Sequence, residues 1–141
     1  MNRGVIVDTG PLVAFLDRSE LHHAWACEQL RQYPPPLISS EPVLTEAMYL
    51  LRRFPLAQEK LLEMIARRSL LLQFRLQDEI EAVRRIVAKY RDVPMSLADA
   101  SLVCLAETHG LPVCTLDSDF IVYRKHRQTP LLLVIPEDVL S

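Results

Sequence analysis

Glycine, cysteine and aromatic residues are all scarce in this chain of 141 residues. Its three glycines are too few for an all-β fold rich in tight turns, and no G-x-x-x-x-G-K-[ST] or G-x-G-x-x-G phosphate-binding motif occurs. The three cysteines form no C-x-x-C pair, and their odd number argues against a disulfide scaffold or a zinc ribbon. Reduced thiols in a cytoplasmic protein fit this pattern better.

Long apolar segments are also missing. The longest apolar run, residues 131–135, is far too short to cross a bilayer. The apolar stretch near the start contains Asp8 and is followed by no small-x-small cleavage site. We therefore expect neither a signal peptide nor contact with a membrane.

The overall charge does not by itself indicate a nucleic-acid binder, because the net charge is −2 and the isoelectric point is about 6.1. If five of the 18 acidic residues are metal ligands, however, 13 acids remain against 16 basic residues. The remainder of the chain is then mildly basic, which permits an RNA substrate without predicting one. Half of the residues are hydrophobic, which is enough for the core of one domain.

Short aliphatic runs alternate with longer helical patterns, which predicts βα units around a parallel sheet. Strands are predicted at residues 4–7, 37–38, 70–74, 112–116 and 131–135. Helices are predicted at residues 10–17, 21–33, 41–53, 56–68, 77–90 and 96–109. No repeat or flexible linker divides the chain, so residues 1–141 are expected to form a single α/β domain.

Two aspartates directly follow predicted strands: Asp8 follows residues 4–7, and Asp117 follows residues 112–116. In an open parallel sheet, ligands bind beyond the carboxyl ends of the strands, so both carboxylates are expected to point into one crevice. Either residue alone could simply begin a turn or cap a helix. The pair favours a functional site.

Three further acids are candidates for the same site. Glu46 lies in a predicted helix among apolar neighbours. Its carboxylate is therefore expected either to be desolvated and to need a metal ion or an arginine, or to reach solvent from the edge of the core. Asp99 forms an S-x-x-[DE] motif with Ser96, which favours a helix cap, although the mouth of an apolar helix also suits an anionic site. Asp119 forms a D-x-D with Asp117 that can chelate a cation, or it begins a short helix over residues 120–125.

Taken together, these segments resemble PIN-domain proteins, and most closely the VapC-like ribonuclease toxins of toxin–antitoxin systems. The segments VIVDTGPLVAFLD, LADASLVCLAE and TLDSDF, with Glu46 between the first two, occur in the order typical of that family. The resemblance covers nearly the whole chain and implies a three-layer α/β/α fold with a mostly parallel central sheet. It also implies an acidic pocket for Mg²⁺ or Mn²⁺ formed by Asp8, Glu46, Asp99 and Asp117. Accessory roles fall to Asp119, Thr9 and Thr115.

Hydrolysis of RNA by in-line attack of a water activated by the metal is the leading hypothesis. Two carboxylates about 4 Å apart repel each other by on the order of 4 kcal/mol at an effective dielectric constant of about 20, and a hard divalent cation removes that repulsion. Substrate binding is expected outside the pocket, although charged helix faces are usually only solvated. The candidate cations are Arg52, Arg53, Arg84, Arg85, Lys89, Arg124, Lys125 and Arg127.

The expected partners are RNA, a cognate antitoxin protein and a second copy of the chain in a homodimer, all in the cytoplasm. Two alternatives remain open: a catalytically silent PIN-fold binding or scaffold module, and a DNA nuclease that uses the same pocket. The intact set of four acids favours the enzyme. No H-E-x-x-H or G-x-S-x-G motif occurs to support a zinc protease or a serine hydrolase.

Overall fold

A computed structural model describes residues 4–126 and 128–140. Its main sheet has five parallel strands in the order β3-β2-β1-β4-β7. They are β1 (Ile6–Val7), β2 (Leu37–Ser39), β3 (Leu70–Leu72), β4 (Val113–Cys114) and β7 (Leu133–Val134). A separate antiparallel pair joins β5 (Arg124–Lys125) to β6 (Thr129–Pro130).

Helices connect the strands and flank the sheet. They are α1 (Thr9–Leu16), α2 (His23–Arg31), α3 (Glu41–Leu50), α4 (Pro55–Ala66), α5 (Leu76–Lys89), α6 (Leu97–His109) and α7 (Glu137–Leu140), with a 3₁₀ helix at Ser118–Ile121. The predicted α/β fold with a mostly parallel central sheet is therefore confirmed. Among the described residues, no helix is long and apolar enough to cross a membrane.

The strand order reverses beside β1. From β1 the chain adds β2 and β3 on one side, then crosses over to add β4 and β7 on the other. Ligands of open α/β sheets bind at such a switch point, beyond the carboxyl ends of the strands. Because Val7 pairs with Cys114, the segments that follow β1 and β4 leave the sheet side by side.

The core forms around the central strands and α6. Ile6 and Val113 are fully buried, as expected for a parallel strand covered on both faces. Helix α6 buries every residue from 100 to 106, so it lies in the interior, and it ends at Gly110, which adopts a left-handed conformation with φ of 65°. Helix α5 is amphipathic and buries Val83 and Ile86.

Four of the five predicted strands are longer than the observed ones, and α2 is two residues shorter at each end than predicted. Two predictions about helices differ further from the structure. Helix α3 ends at Leu50, and residues 51–53 form a turn where the sequence pattern predicted three more helical residues. The prediction of a short helix over residues 120–125 is wrong. A 3₁₀ helix begins earlier, at Ser118, because the Asp117 side chain caps it, and Arg124–Lys125 forms a strand. The β5–β6 hairpin and α7 were not predicted.

Candidate metal centre

An open cavity of about 460 Å³ lies where the segments after β1 and β4 leave the sheet. Four carboxylates from four different elements line it. They belong to Asp8, Glu46, Asp99 and Asp117. Asp8 directly follows β1, Glu46 lies on α3, Asp99 is in the first turn of α6, and Asp117 follows β4. The structure therefore brings all four principal sequence candidates to one pocket.

Asp8 is the most enclosed of these acids, with 6% of its surface exposed. Its Oδ1 accepts a hydrogen bond of 2.7 Å from the Thr9 amide, and its Oδ2 accepts one of 2.7 Å from the Thr115 hydroxyl. Burial nevertheless raises the pKa of Asp8 to about 7, and the nearby charges of Asp99 and Asp117 add to the increase. A positive charge in this pocket would therefore favour the ionised form of Asp8.

Asp99 has both of the roles that its sequence position allowed. It forms a capping box with Ser96, in which the Asp99 amide donates to Ser96 Oγ (3.0 Å) and the Ser96 amide donates to Asp99 Oδ2 (3.2 Å). The same side chain lines the pocket. Burial raises the pKa of Asp99, and the charges of Asp117 and Glu46 raise it further. Capping and membership of the acidic pocket are therefore compatible.

Glu46 is exposed rather than desolvated, which agrees with the second of the two alternatives that its neighbours allowed. Helix α3 turns Val43 and Ala47 into the core, whereas Tyr49 and Leu50 are themselves 62% and 52% exposed. Apolar neighbours along the helix therefore did not imply burial. Glu46 instead lies at the rim of the pocket, where its Oε1 accepts a hydrogen bond of 3.0 Å from the Thr9 hydroxyl.

Thr115 links Asp8 to Asp117. Its buried hydroxyl donates to Asp8 and accepts a hydrogen bond of 2.9 Å from the Asp117 amide. The Asp117 carboxylate in turn accepts a hydrogen bond of 2.9 Å from the amide of Asp119. Asp119 itself is exposed and is not among the residues that line the pocket. Of the predicted accessory residues, Thr9 and Thr115 thus contact the acids through their side chains, and Asp119 contacts them through its backbone.

The donor chemistry of the pocket fits a hard divalent cation. Within residues 4–126 and 128–140, no group of three or more acidic, histidine or cysteine side chains is arranged so that it could hold a metal ion as it stands. Mg²⁺ does not require such a group, because it keeps several of its waters and binds through one or two carboxylates. Four carboxylates around one cavity, one of them with a pKa near 7, provide that chemistry.

The predicted RNA-binding cations that the structure describes lie outside the acidic pocket. Arg52 stacks on the ring of Tyr49, 4.0 Å from its centroid, and Arg53 beside it is exposed. Arg84 and Arg85 line a separate groove along α5.

The remaining predicted cations lie near the end of α5 and in the hairpin. Lys89 is 5.4 Å from the ring centroid of Tyr90, and Arg124 and Lys125 form β5. Arg127 lies outside the described residues. The sequence analysis did not single out Arg91, which also lines the α5 groove. It lies in the turn just beyond the end of α5, so helical periodicity does not indicate it.

Comparison with known proteins identifies the family to which this α/β protein belongs. Residues 5–125 match the family model of the PIN domain, so the chain belongs to the PIN-domain family. The chain is also 34% identical over 116 residues to Ribonuclease VapC26 of Mycobacterium tuberculosis, a match that covers 80% of this chain and 86% of the relative. It is thus homologous to a VapC ribonuclease.

Solved structures of low sequence identity share the fold. VapC20 of Mycobacterium tuberculosis, described as a Sarcin-Ricin loop cleaving toxin, matches with a TM-score of 0.68 at 20% identity and covers 82% of this chain and 91% of its own. A toxin–antitoxin complex from Klebsiella pneumoniae matches with a TM-score of 0.63 at 23% identity, covering 82% and 89%. VapBC2 from Rickettsia felis, bound to promoter DNA, gives 0.63 at 14% identity, covering 94% and 98%.

Proposed function

We propose that this protein is a divalent-metal-dependent endoribonuclease that hydrolyses RNA phosphodiester bonds. The observation that carries the proposal is that Asp8, Glu46, Asp99 and Asp117 line one pocket at the switch point of the sheet. The homology to Ribonuclease VapC26 supports RNA as the substrate class.

In this proposal the acids hold Mg²⁺ or Mn²⁺. Asp8 and Asp117 would hold the ion directly, and Glu46 and Asp99 would hold it directly or through its waters. A bound ion would supply positive charge for activation of the attacking water and for stabilisation of the scissile phosphate. Thr115 fixes the orientation of Asp8 through the hydrogen bond to Oδ2, so this ligand is positioned before substrate binds.

We further propose that the chain is the toxin of a toxin–antitoxin pair and acts on cytoplasmic RNA. The Klebsiella pneumoniae structure of similar fold is described as a toxin–antitoxin complex, which supports this role. Exposed apolar side chains at the end of α3 and the start of α4 offer a surface for an antitoxin or for a second copy in a homodimer. They are Tyr49, Leu50, Phe54 and Leu56.

The test is cleavage by the purified protein of end-labelled single-stranded RNA and DNA, with Mn²⁺ and with EDTA. The wild type should cleave RNA only with the metal. Asp8→Asn and Asp99→Asn should each lose at least about 100-fold in rate, since even outer-shell changes at metal sites cost 10- to 100-fold. Glu59→Gln removes an exposed acid on α4, outside the pocket, and serves as the control.

Other outcomes would identify the alternatives. RNA binding without cleavage in Mn²⁺ would indicate a silent binding module, and preferential cleavage of DNA would indicate a DNA nuclease. Equal activity of Asp8→Asn and the wild type would overturn the proposed site. Light scattering of the purified chain, alone and with a candidate antitoxin, measures whether it forms the homodimer and the pair.

A further inference from the structure

A groove of about 810 Å³ lies along one side of α5 and reaches the connection to α6. Arg84, Arg85 and Arg91 line it against a single acid, Glu81. Its other walls are largely apolar, with Val87 exposed on one side. A groove with cationic walls and apolar surfaces suits a single strand of nucleic acid, which presents both phosphates and base faces.

The arginines differ in how firmly they are held. Arg84 pairs with Glu81 at 3.2 Å, and both side chains are more than 70% exposed. Such a surface pair contributes roughly 0–1 kcal/mol, so Arg84 can exchange it for a phosphate. Arg85 forms a 2.6 Å contact with Glu107, which is only 10% exposed, and is therefore held by the protein. Arg91 is exposed, lies in the turn just beyond the end of α5 and lines the same groove.

One buried side chain joins this groove to the acidic pocket. The Tyr123 hydroxyl lies 3.5 Å from the carbonyl oxygen of Pro94, which lines the groove, and 3.5 Å from Asp99 Oδ2, which lines the pocket. The basic hairpin lies at the same place, because the Arg124 amide donates a 2.6 Å hydrogen bond to the hydroxyl of Tyr90 in the groove wall. A strand that leaves the acidic pocket past Asp99 thus enters a surface with positive charge.

We infer that the α5 groove holds the part of the RNA strand that flanks the scissile phosphate, with Arg84 and Arg91 contacting backbone phosphates. The inference rests on the proposed ribonuclease function and gives the path of its substrate.

The test measures binding of a fluorescein-labelled single-stranded oligoribonucleotide by anisotropy, in EDTA, over a series of salt concentrations. Arg84→Gln and Arg91→Gln should each weaken binding by roughly three- to tenfold. Each should also reduce the slope of log affinity against log salt by about 0.7, the value for one lost phosphate contact on a single strand. Arg67→Gln is the control, because Arg67 is an exposed arginine at the C-terminal end of α4 that pairs with Glu63, as Arg84 pairs with Glu81.

Substitutions at Val87 test the sign of the charge effect. Val87 is 44% exposed and lines the groove, and both Glu and Lys have a higher helix propensity than Val, so folding should be unaffected. Val87→Glu should weaken RNA binding, and Val87→Lys should strengthen it. Thermal unfolding of each variant shows that the fold is intact.

Wild-type affinity and salt slope in both arginine variants would overturn the inference. A changed oligomeric mass with unaltered RNA binding would assign the groove to a protein contact and would also overturn it. If the groove variants bind RNA more weakly than the wild type, but the wild type does not cleave RNA with Mn²⁺, the proposed nuclease function is refuted and the RNA-binding groove is supported. If the groove variants cleave RNA with the KM of the wild type, the inference that the groove binds RNA is refuted, and the proposed nuclease function is not.

Discussion

Asp8 should make the metal-free protein less stable as the pH rises toward neutrality. Burial raises its pKa from 3.8 to about 7. Between these two pH values the folded protein keeps a proton that the unfolded chain has already released. Folding then takes up a proton, and the free energy of unfolding falls as the pH rises. A difference of about 3 pH units corresponds to ~4 kcal/mol lost at and above neutral pH.

The measurement is urea unfolding in EDTA at pH 5, 6, 7 and 8, with wild type and Asp8→Asn compared at each pH. Asparagine keeps the shape of the side chain and removes its titration. The variant should gain on the wild type by about 2–3 kcal/mol between pH 5 and pH 8. The gain is smaller than the full linkage, because the carboxyl of the unfolded chain, with a pKa of 3.8, is already largely ionised at pH 5 and part of the loss therefore lies below that pH. Asp119→Asn, which removes an exposed acid, is the control for net charge.

A divalent cation should offset part of this loss of stability in the wild type. Mn²⁺ at a hundred times its Kd should raise the free energy of unfolding of the wild type by ~2.7 kcal/mol, and it should stabilise Asp8→Asn far less. In EDTA, a difference in the free energy of unfolding between wild type and Asp8→Asn that is the same at pH 5 and pH 8 would refute the reasoning. It would mean that the folded protein does not hold a proton on Asp8.

Three further predictions concern Thr115, Ser96 and Leu102. Thr115→Val should lower the free energy of unfolding by about 1–3 kcal/mol in urea. The Thr115 hydrogen bond lowers the pKa of Asp8, so its removal should raise that pKa and shift the rise of the cleavage rate to higher pH. An unchanged pH profile would contradict this prediction. Ser96→Ala removes the cap of α6 and should cost about 1 kcal/mol, read from the melting temperature, whereas an unchanged value would mean that the cap contributes nothing. Leu102→Ala, at a fully buried position, should cost about 2–5 kcal/mol in urea unfolding with unchanged cleavage per folded molecule; a smaller loss would contradict tight packing.

The elements of the main sheet were predictable because their signals are local. A parallel strand buried on both faces is a short apolar run, and residues 4–7 and 70–74 show that pattern. The cap of α6 was equally visible, since Ser96 and Asp99 have the spacing of a capping box. The β5–β6 hairpin gave no such signal. It is held by distant residues, as in the 2.7 Å hydrogen bond from the His126 amide to Glu107.

Exposure was harder to predict than helical structure. Periodicity shows which residues share a face of α3, but it does not show what covers that face. The apolar neighbours of Glu46 therefore allowed either a desolvated or an exposed carboxylate, and Tyr49 and Leu50 leave their face open to solvent. The same limit hid the α5 groove, because its walls combine α5 with the segment before α6.

The amino-acid sequence by itself determined the alternation of strands and helices, the positions of acids at two strand ends, and the cap of α6. Each of these depends on residues within a few positions of one another. Only the tertiary structure decided that Glu46 and Asp99 share a pocket with Asp8 and Asp117, because the pairing of β1 with β4 and the packing of α3 against α6 join residues far apart in the chain. It also decided the protonation of Asp8, since burial depends on everything that surrounds the side chain.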